Sequence, residues 1–200
     1  EAGQIQVGLV RISAAVESQR LGSIFFDFGG PGIDPTELLA RTAAYWSSAS
    51  PNDPIDGDKR RLSDTYDLVA VVPRGLRAGT RVTCAPMTLP EPDSFAEHDD
   101  DTHWDRAVAW ASAYASACAE HPFAPYINTY QHAKDIEQAR RWLGEPILHF
   151  VGSSYGARVG VAYASLYPDT VGRFVFDSAI GLFDSFAVAN ARSRRELDYA

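Results

Sequence analysis

The residues with the clearest chemical potential are Gly152-Ser153-Ser154-Tyr155-Gly156, a G-x-S-x-G pentapeptide with Ser154 at its centre. An apolar run over 147–151 precedes it and reads as a buried strand; a small-residue-rich run over 155–166 follows it and reads as a helix. A sharp strand-to-helix turn pushes one serine oxygen clear of a sheet. Glycines flank such a turn because side chains there would collide with neighbouring backbone. The helix that follows aims its N-terminus at the turn and favours negative charge developing there. Ser154 is therefore the candidate nucleophile, set against an ordinary strand–helix turn.

A second candidate is Gly29-Gly30-Pro31-Gly32, directly after the apolar run Ser23–Phe28. It lacks the Lys-Ser/Thr of a P-loop and does not match G-x-G-x-x-G, so phosphate cradling is a poor fit. Paired with Ser154 it suits an oxyanion hole, which needs two N–H groups aimed at one developing alkoxide. Tyr155, the residue after the serine, supplies one. Pro31 has no N–H, so Gly30 is the choice for the other and Gly32 the reserve.

The elements that must position these residues alternate in type. Residues 5–13 alternate apolar and polar like a half-buried strand, and 23–28 read as a buried strand. Asp34 or Thr36 caps an expected helix through Leu38, Leu39, Ala43 and Trp46. Residues 66–72 read as another buried strand, ended by Pro73-Arg74-Gly75. Helices are expected over 104–118 and 129–143, with Gly144 placed to end the second. A strand is expected over 171–176 and an amphipathic helix over 183–199. Strands alternating with helices, each strand nearly continuous in apolar character, imply an α/β sheet covered on both faces. Only a short turn separates the first two strands, so they are expected to pair antiparallel.

Composition narrows the function. The chain has 200 residues, 46% hydrophobic and 22% charged, enough for one ordinary domain with a real core. Its 18 Lys+Arg against 26 Asp+Glu give a net charge of −8 with no basic stripe, which argues against a nucleic-acid partner. No run approaches the ~18 apolar residues of a membrane helix. Glu1-Ala2-Gly3-Gln4 lacks the charged-then-apolar pattern of a signal peptide. The two cysteines, Cys84 and Cys118, read either as buried thiols or as a disulfide worth roughly 3–4 kcal/mol by loop closure. Neither has zinc-site spacing.

The segments SIFFDFGGPG, YDLVAVVPRG, YINT before a helix and LHFVGSSYGARVGVAYASLYPDTVGRFVFDSA, with Cys84 and Cys118, run in order from about Ile5 to the end of the chain. Together they resemble the tripeptidyl-aminopeptidase-like branch of the α/β-hydrolases, relatives of the proline iminopeptidases. The resemblance implies an α/β-hydrolase fold, a mostly parallel sheet flanked by helices. It implies an exported serine peptidase that removes short peptides from N-termini beneath a helical cap, with a signal peptide, a Cys84–Cys118 disulfide and no cofactor. Residues 1–182 would be the N-terminal portion of the hydrolase core and 183–200 the start of the cap. Ile33-Asp34-Pro35 after GGPG, and Val72 where many members have Asp before Pro-Arg-Gly, depart from the family pattern.

A serine needs an adjacent base, and α/β-hydrolases order their triad Ser, Asp or Glu, His along the chain. All five histidines, His98, His103, His121, His132 and His149, precede Ser154. His149 sits inside a strand and reads as a packed residue. The acid and base are thus expected from a complementary C-terminal segment or partner chain that also completes the sheet and cap. A cleaved enzyme, a truncated sequence and a catalytically silent binding module are the competing explanations. A carboxylesterase or lipase of the same fold is the alternative activity, so the substrate is a small peptide or ester.

Other candidates have plain readings. His98-Asp99-Asp100-Asp101-Thr102-His103 has metal-ligand residue types, but an acidic, proline-bearing surface excursion over 86–101 with Asp101 or Thr102 as helix cap accounts for it, so no metal is assigned. Arg192, Arg194 and Arg195 read as an exposed helix face. Trp46, Trp104, Trp110 and Trp142 are expected to pack in the core.

Overall fold

The computed structural model describes residues 3–84 and 101–179. Its strands are β1 (Leu9–Ile12), β2 (Gly22–Asp27), β3 (Tyr66–Val71), β4 (Leu148–Ser153) and β5 (Val171–Asp177). They form one sheet in the order β1-β3-β2-β4-β5. β3, β2, β4 and β5 run parallel, and β1 lies antiparallel on β3. The helices are α1 (Thr36–Ser48), α2 (Gly57–Thr65), α3 (Asp101–Ala119), α4 (Thr129–Trp142) and α5 (Tyr155–Leu166). This is the α/β sheet expected from the alternating apolar runs.

The period of two along the strands sorts their side chains between the faces. Phe25, Val69, Val71, Leu148 and Phe150 pack with Ala133 and Ile136 of α4 and Val159 and Tyr163 of α5. Ile24, Phe26, Leu68 and Ala70 point the other way, against Leu39 and Ala43 of α1. Both faces of the central strands are covered, which is why those strands read as unbroken apolar runs. β1 and β5 are the outer strands among the described residues, and Val175 and Phe176 of β5 are exposed.

Several expectations need correction. β1 and β2 do not pair: Leu9 lies opposite Val71 of β3, and β2 joins β3 from the other side. The link between them crosses the start of β3, held by Ala15, Val16 and Leu21 N–H groups on the carbonyls of Ser63, Asp64 and Thr65. Helix α2 had no apolar periodicity to announce it; its ion pairs Lys59–Asp56, Arg60–Asp64 and Arg61–Asp58 sit at helical spacing instead. Trp104 and Trp142 are 61% and 74% exposed rather than core, because α3 buries only His103 and Ala107 among its described residues and Trp142 ends α4. Trp46 is half-buried, edge-on to Phe26, and Trp110 is half-buried and stacked on Tyr114. Asp101 already belongs to α3 rather than capping it. Residues 85–100, the helix expected over 183–199 and its three arginines lie outside the described residues.

At the edge of the sheet where the parallel strands begin, Asp67 is fully buried. One carboxylate oxygen accepts the Ala14 N–H at 2.9 Å, and the other accepts from Arg11 and Arg20 at 2.9 and 2.7 Å. Burial alone would push this carboxyl up, but the Ala14 N–H and the two guanidinium groups outweigh it and hold it below its ordinary 3.8. The Cys84–Cys118 pair forms a disulfide that ties the segment after β3 to α3.

Two measurements follow. Asp67→Asn removes the charge that Arg11 and Arg20 share, though Arg20 keeps Glu145, and should cost about 1.5–3 kcal/mol in urea unfolding at pH 7. A lowered folded value means this stabilisation is complete above about pH 5 and fades as pH falls through that value. The gap between wild type and D67N should therefore close in acid; a gap independent of pH would contradict the assignment. Cys84→Ser should lower stability by up to about 3–4 kcal/mol, since the bond closes a loop of 34 residues. An unchanged melting temperature on adding reductant would show that the loop is not constrained by the bond.

Candidate active site

The chemistry gathers at the edge where the parallel strands end. β2 and β4 pair in register, Asp27 opposite Gly152, so the loops that leave them emerge side by side. One loop carries the glycines and the other Ser154. Open α/β sheets place their ligand sites at this edge.

Ser154 occupies the corner between β4 and α5 with φ 54° and ψ −119°. A serine in that left-handed region is strained, by roughly 1–3 kcal/mol, and such strain persists only where the surroundings impose it. Here they do: the Ser154 N–H donates to the Asp177 carbonyl at 2.9 Å, and its own carbonyl accepts the Ala157 N–H at 3.2 Å. The flanking glycines leave no room for alternatives. A Cβ on Gly152 would lie 2.6 Å from the Gly156 carbonyl oxygen, and one on Gly156 would lie 2.3 Å from that of Asp27. The side chain of Ser154 is half-buried, not sealed. Among the described residues no histidine nitrogen hydrogen-bonds its hydroxyl.

The glycine loop lies directly against this corner. Gly29, at φ +88°, has its Cβ direction only 2.7 Å from the Ser153 carbonyl oxygen, 3.0 Å from the Tyr155 nitrogen and 3.2 Å from Ser154 Cβ. Gly30 and Gly32 also have positive φ, and the Gly30–Pro31 bond is cis. The Gly29 N–H is used internally, donating to Asp27 Oδ1 at 2.8 Å. Among the described residues neither Gly30 N–H nor Tyr155 N–H has a hydrogen-bond acceptor, and Tyr155 is the first residue of α5.

Beside the loop opens a cavity of about 380 Å³ lined by Gly29, Pro31, Gly32, Arg74, Ile127 and Tyr155, among others. Ser154 and Gly30 are adjacent to this cavity without lining it. Asp27 and His132 form part of its wall, with His132 Nε2 3.0 Å from Asp27 Oδ2 and both side chains about nine-tenths buried. Arg74 makes a two-pronged bond to Asp135, each prong 2.7 Å, which raises the guanidinium above its ordinary value. Tyr155 hydroxyl bonds Thr129 Oγ1.

These pairings escaped the sequence reading. Asp27 and His132 are 105 residues apart, and Arg74 and Asp135 are 61 apart, so no local pattern links them. The spacing of Thr129, His132 and Asp135 along one helix face was the available signal. His149, read as packed, is half-buried; burial, then Arg173, lowers its pKa, and its Nδ1 accepts the Arg173 N–H. His103 is buried within α3, while His98 lies outside the described residues. Among the described residues no cluster of His, Cys, Asp or Glu could hold a metal ion.

A family model described as the alpha/beta hydrolase fold matches residues 112–197. A tripeptidyl aminopeptidase of Streptomyces lividans is 29% identical over 187 residues, covering 88% of this chain and 32% of that protein. Serine protease Hip1 of Mycobacterium tuberculosis is 24% identical over 189 residues, covering 87% of this chain and 32% of its own length. The chain thus spans about a third of the length of these relatives. Among solved structures, a variant of Vigna radiata epoxide hydrolase superposes with a TM-score of 0.50 at 14% identity, over 94% of this chain and 41% of that one. Strand order, the strained corner at Ser154 and sequence likeness agree: the chain has an α/β-hydrolase fold and resembles the tripeptidyl-aminopeptidase-like branch of that superfamily.

Proposed function

We propose that this chain carries the nucleophile and oxyanion hole of a serine hydrolase of peptidase type. The single observation behind the proposal is Ser154 in a strained left-handed turn with the glycine loop packed against it. Strain of this kind is retained where it presents a reactive group. In the proposed reaction Ser154 Oγ attacks the substrate carbonyl as a base removes its proton. The oxyanion is received by the Gly30 and Tyr155 N–H groups, with the N-terminus of α5 behind the second. The tetrahedral intermediate expels the amine, and water then releases the acyl group from Ser154.

The base and its acid partner are assigned to a complementary segment outside this chain, one that would also cover Val175 and Phe176 of β5. The chain's share of about a third of its relatives' length supports this division. Removal of short peptides from N-termini is inferred from the name of the Streptomyces relative. The disulfide supports an exported enzyme, since such bonds persist in oxidising compartments.

A fluorophosphonate probe applied to the full-length protein should label one serine. Ser154→Ala should abolish labelling and Ser153→Ala should leave it; labelling that survives S154A would overturn the assignment. Tripeptide amides and short-chain esters, compared on the same preparation, separate peptidase from esterase. Gly29→Ala places a methyl against the Ser153 carbonyl and should lower kcat by about 10–100-fold. A G29A enzyme with wild-type kcat would show that the close approach does not serve catalysis.

A further inference from the structure

Three side chains along one face of α4 reach three different loops of the site. Thr129, His132 and Asp135 are spaced three residues apart and share that face. Asp135 holds Arg74, at the end of β3. Thr129 Oγ1 holds the Tyr155 hydroxyl, just after the nucleophile. His132 Nε2 holds Asp27 Oδ2, while Asp27 Oδ1 receives the Gly29 N–H.

The last two contacts bear on the oxyanion donors. Because Asp27 takes the Gly29 N–H, the first N–H of the loop left over for a ligand is that of Gly30. The bond fixes the 28–29 peptide and so the point from which the close-packed Gly29 turns the chain toward the Gly30 N–H; where that turn starts depends on where the Asp27 carboxylate sits. That carboxylate is buried, and His132 satisfies the oxygen that Gly29 does not. Without His132, Oδ2 would be stranded and the carboxylate would turn to find another donor. Thr129 makes the equivalent contact for Tyr155: it ties the hydroxyl of a ring already packed on the core, and with it the first turn of α5, to the same helix. Both donors are thereby referenced to one turn of one helix.

We infer that Thr129 and His132 are positioning residues that together fix the separation between the Gly30 and Tyr155 N–H groups. This inference rests on the reading of Ser154 as nucleophile. Neither residue touches the reacting atoms. His132 is not the missing base: its Nε2 is engaged by Asp27, and its Nδ1 is buried with no hydrogen-bond partner among the described residues.

Two experiments test it. Amide hydrogen exchange by NMR on the full-length protein, isotope-labelled at glycine, needs no activity: Gly29 should exchange at least about tenfold more slowly than Gly30, and His132→Leu should remove that difference. Equal exchange of the two amides in the wild type would overturn the inference. In the full-length protein, H132L and Thr129→Val should each lower kcat by roughly 10-fold with KM within about twofold. His132→Gln, which can still reach Asp27, should restore part of the loss. If both residues set one distance, the double variant should lose less than the product of the single effects. Losses carried by KM, or an unchanged kcat in T129V and H132L, would also overturn it. Should H132L fail to fold, T129V and the wild-type exchange rates still decide. Activity that survives Ser154→Ala would instead refute Ser154 as the nucleophile and leave the exchange result standing.

Discussion

The parallel pairing of β2 with β4 is the constraint from which the rest of the site descends. Its register sets Asp27 beside Gly152, and the two loops that follow must then share a space with no room for Cβ atoms. Gly29 packs on Ser153, Ser154 and Tyr155, while Gly156 packs on the backbone of Asp27. A slip of one residue would turn every side chain to the opposite face and separate the loops. The apolar alternation that fills both faces of the sheet is thus also what holds the strained serine in place.

Around that contact the molecule divides its polar groups by role. At the edge where the parallel strands begin, the buried Asp67, Ser23 and Glu145 are bonded by the more exposed Arg11 and Arg20, which join the N-terminal link to the strands. Between α4 and α5, Arg140 and the Tyr163 hydroxyl both donate to the Glu137 carboxylate; Arg140 holds the Glu137 carboxyl low, while burial first, with Glu137 adding to it, pushes the Tyr163 hydroxyl up to about 12. These groups bond to one another. At the opposite edge, where the parallel strands end, the polar side chains of α4 instead hold loops, and the loop N–H groups of Gly30 and Tyr155 are left over. Donors without a protein acceptor at this end are what the proposed oxyanion hole requires.

Much of this was legible in the sequence, for a physical reason. Buried parallel strands must be apolar throughout, so β2, β3 and β4 stood out as runs, and Gly144 and the G-x-S-x-G pentapeptide marked turns that only small residues allow. Helix α5 was legible to the residue because Ser154 and Pro168 bracket it. What stayed hidden was long-range. The partner of β1 depends on a link that docks on Ser63–Thr65, which no period along β1 encodes. Helix α2 is carried by ion pairs rather than an apolar stripe. Asp27 in SIFFDF reads as one polar residue ending a strand, and nothing nearby announces that His132 completes it.

The most direct test of the central claim is a crystal structure of the full-length protein after reaction with a phosphonate ester, which leaves a tetrahedral adduct. The adduct should sit on Ser154 Oγ with its phosphoryl oxygen about 2.7–3.1 Å from both the Gly30 and Tyr155 nitrogens. An adduct on another residue, or one on Ser154 whose oxygen points away from the glycine loop, would contradict it.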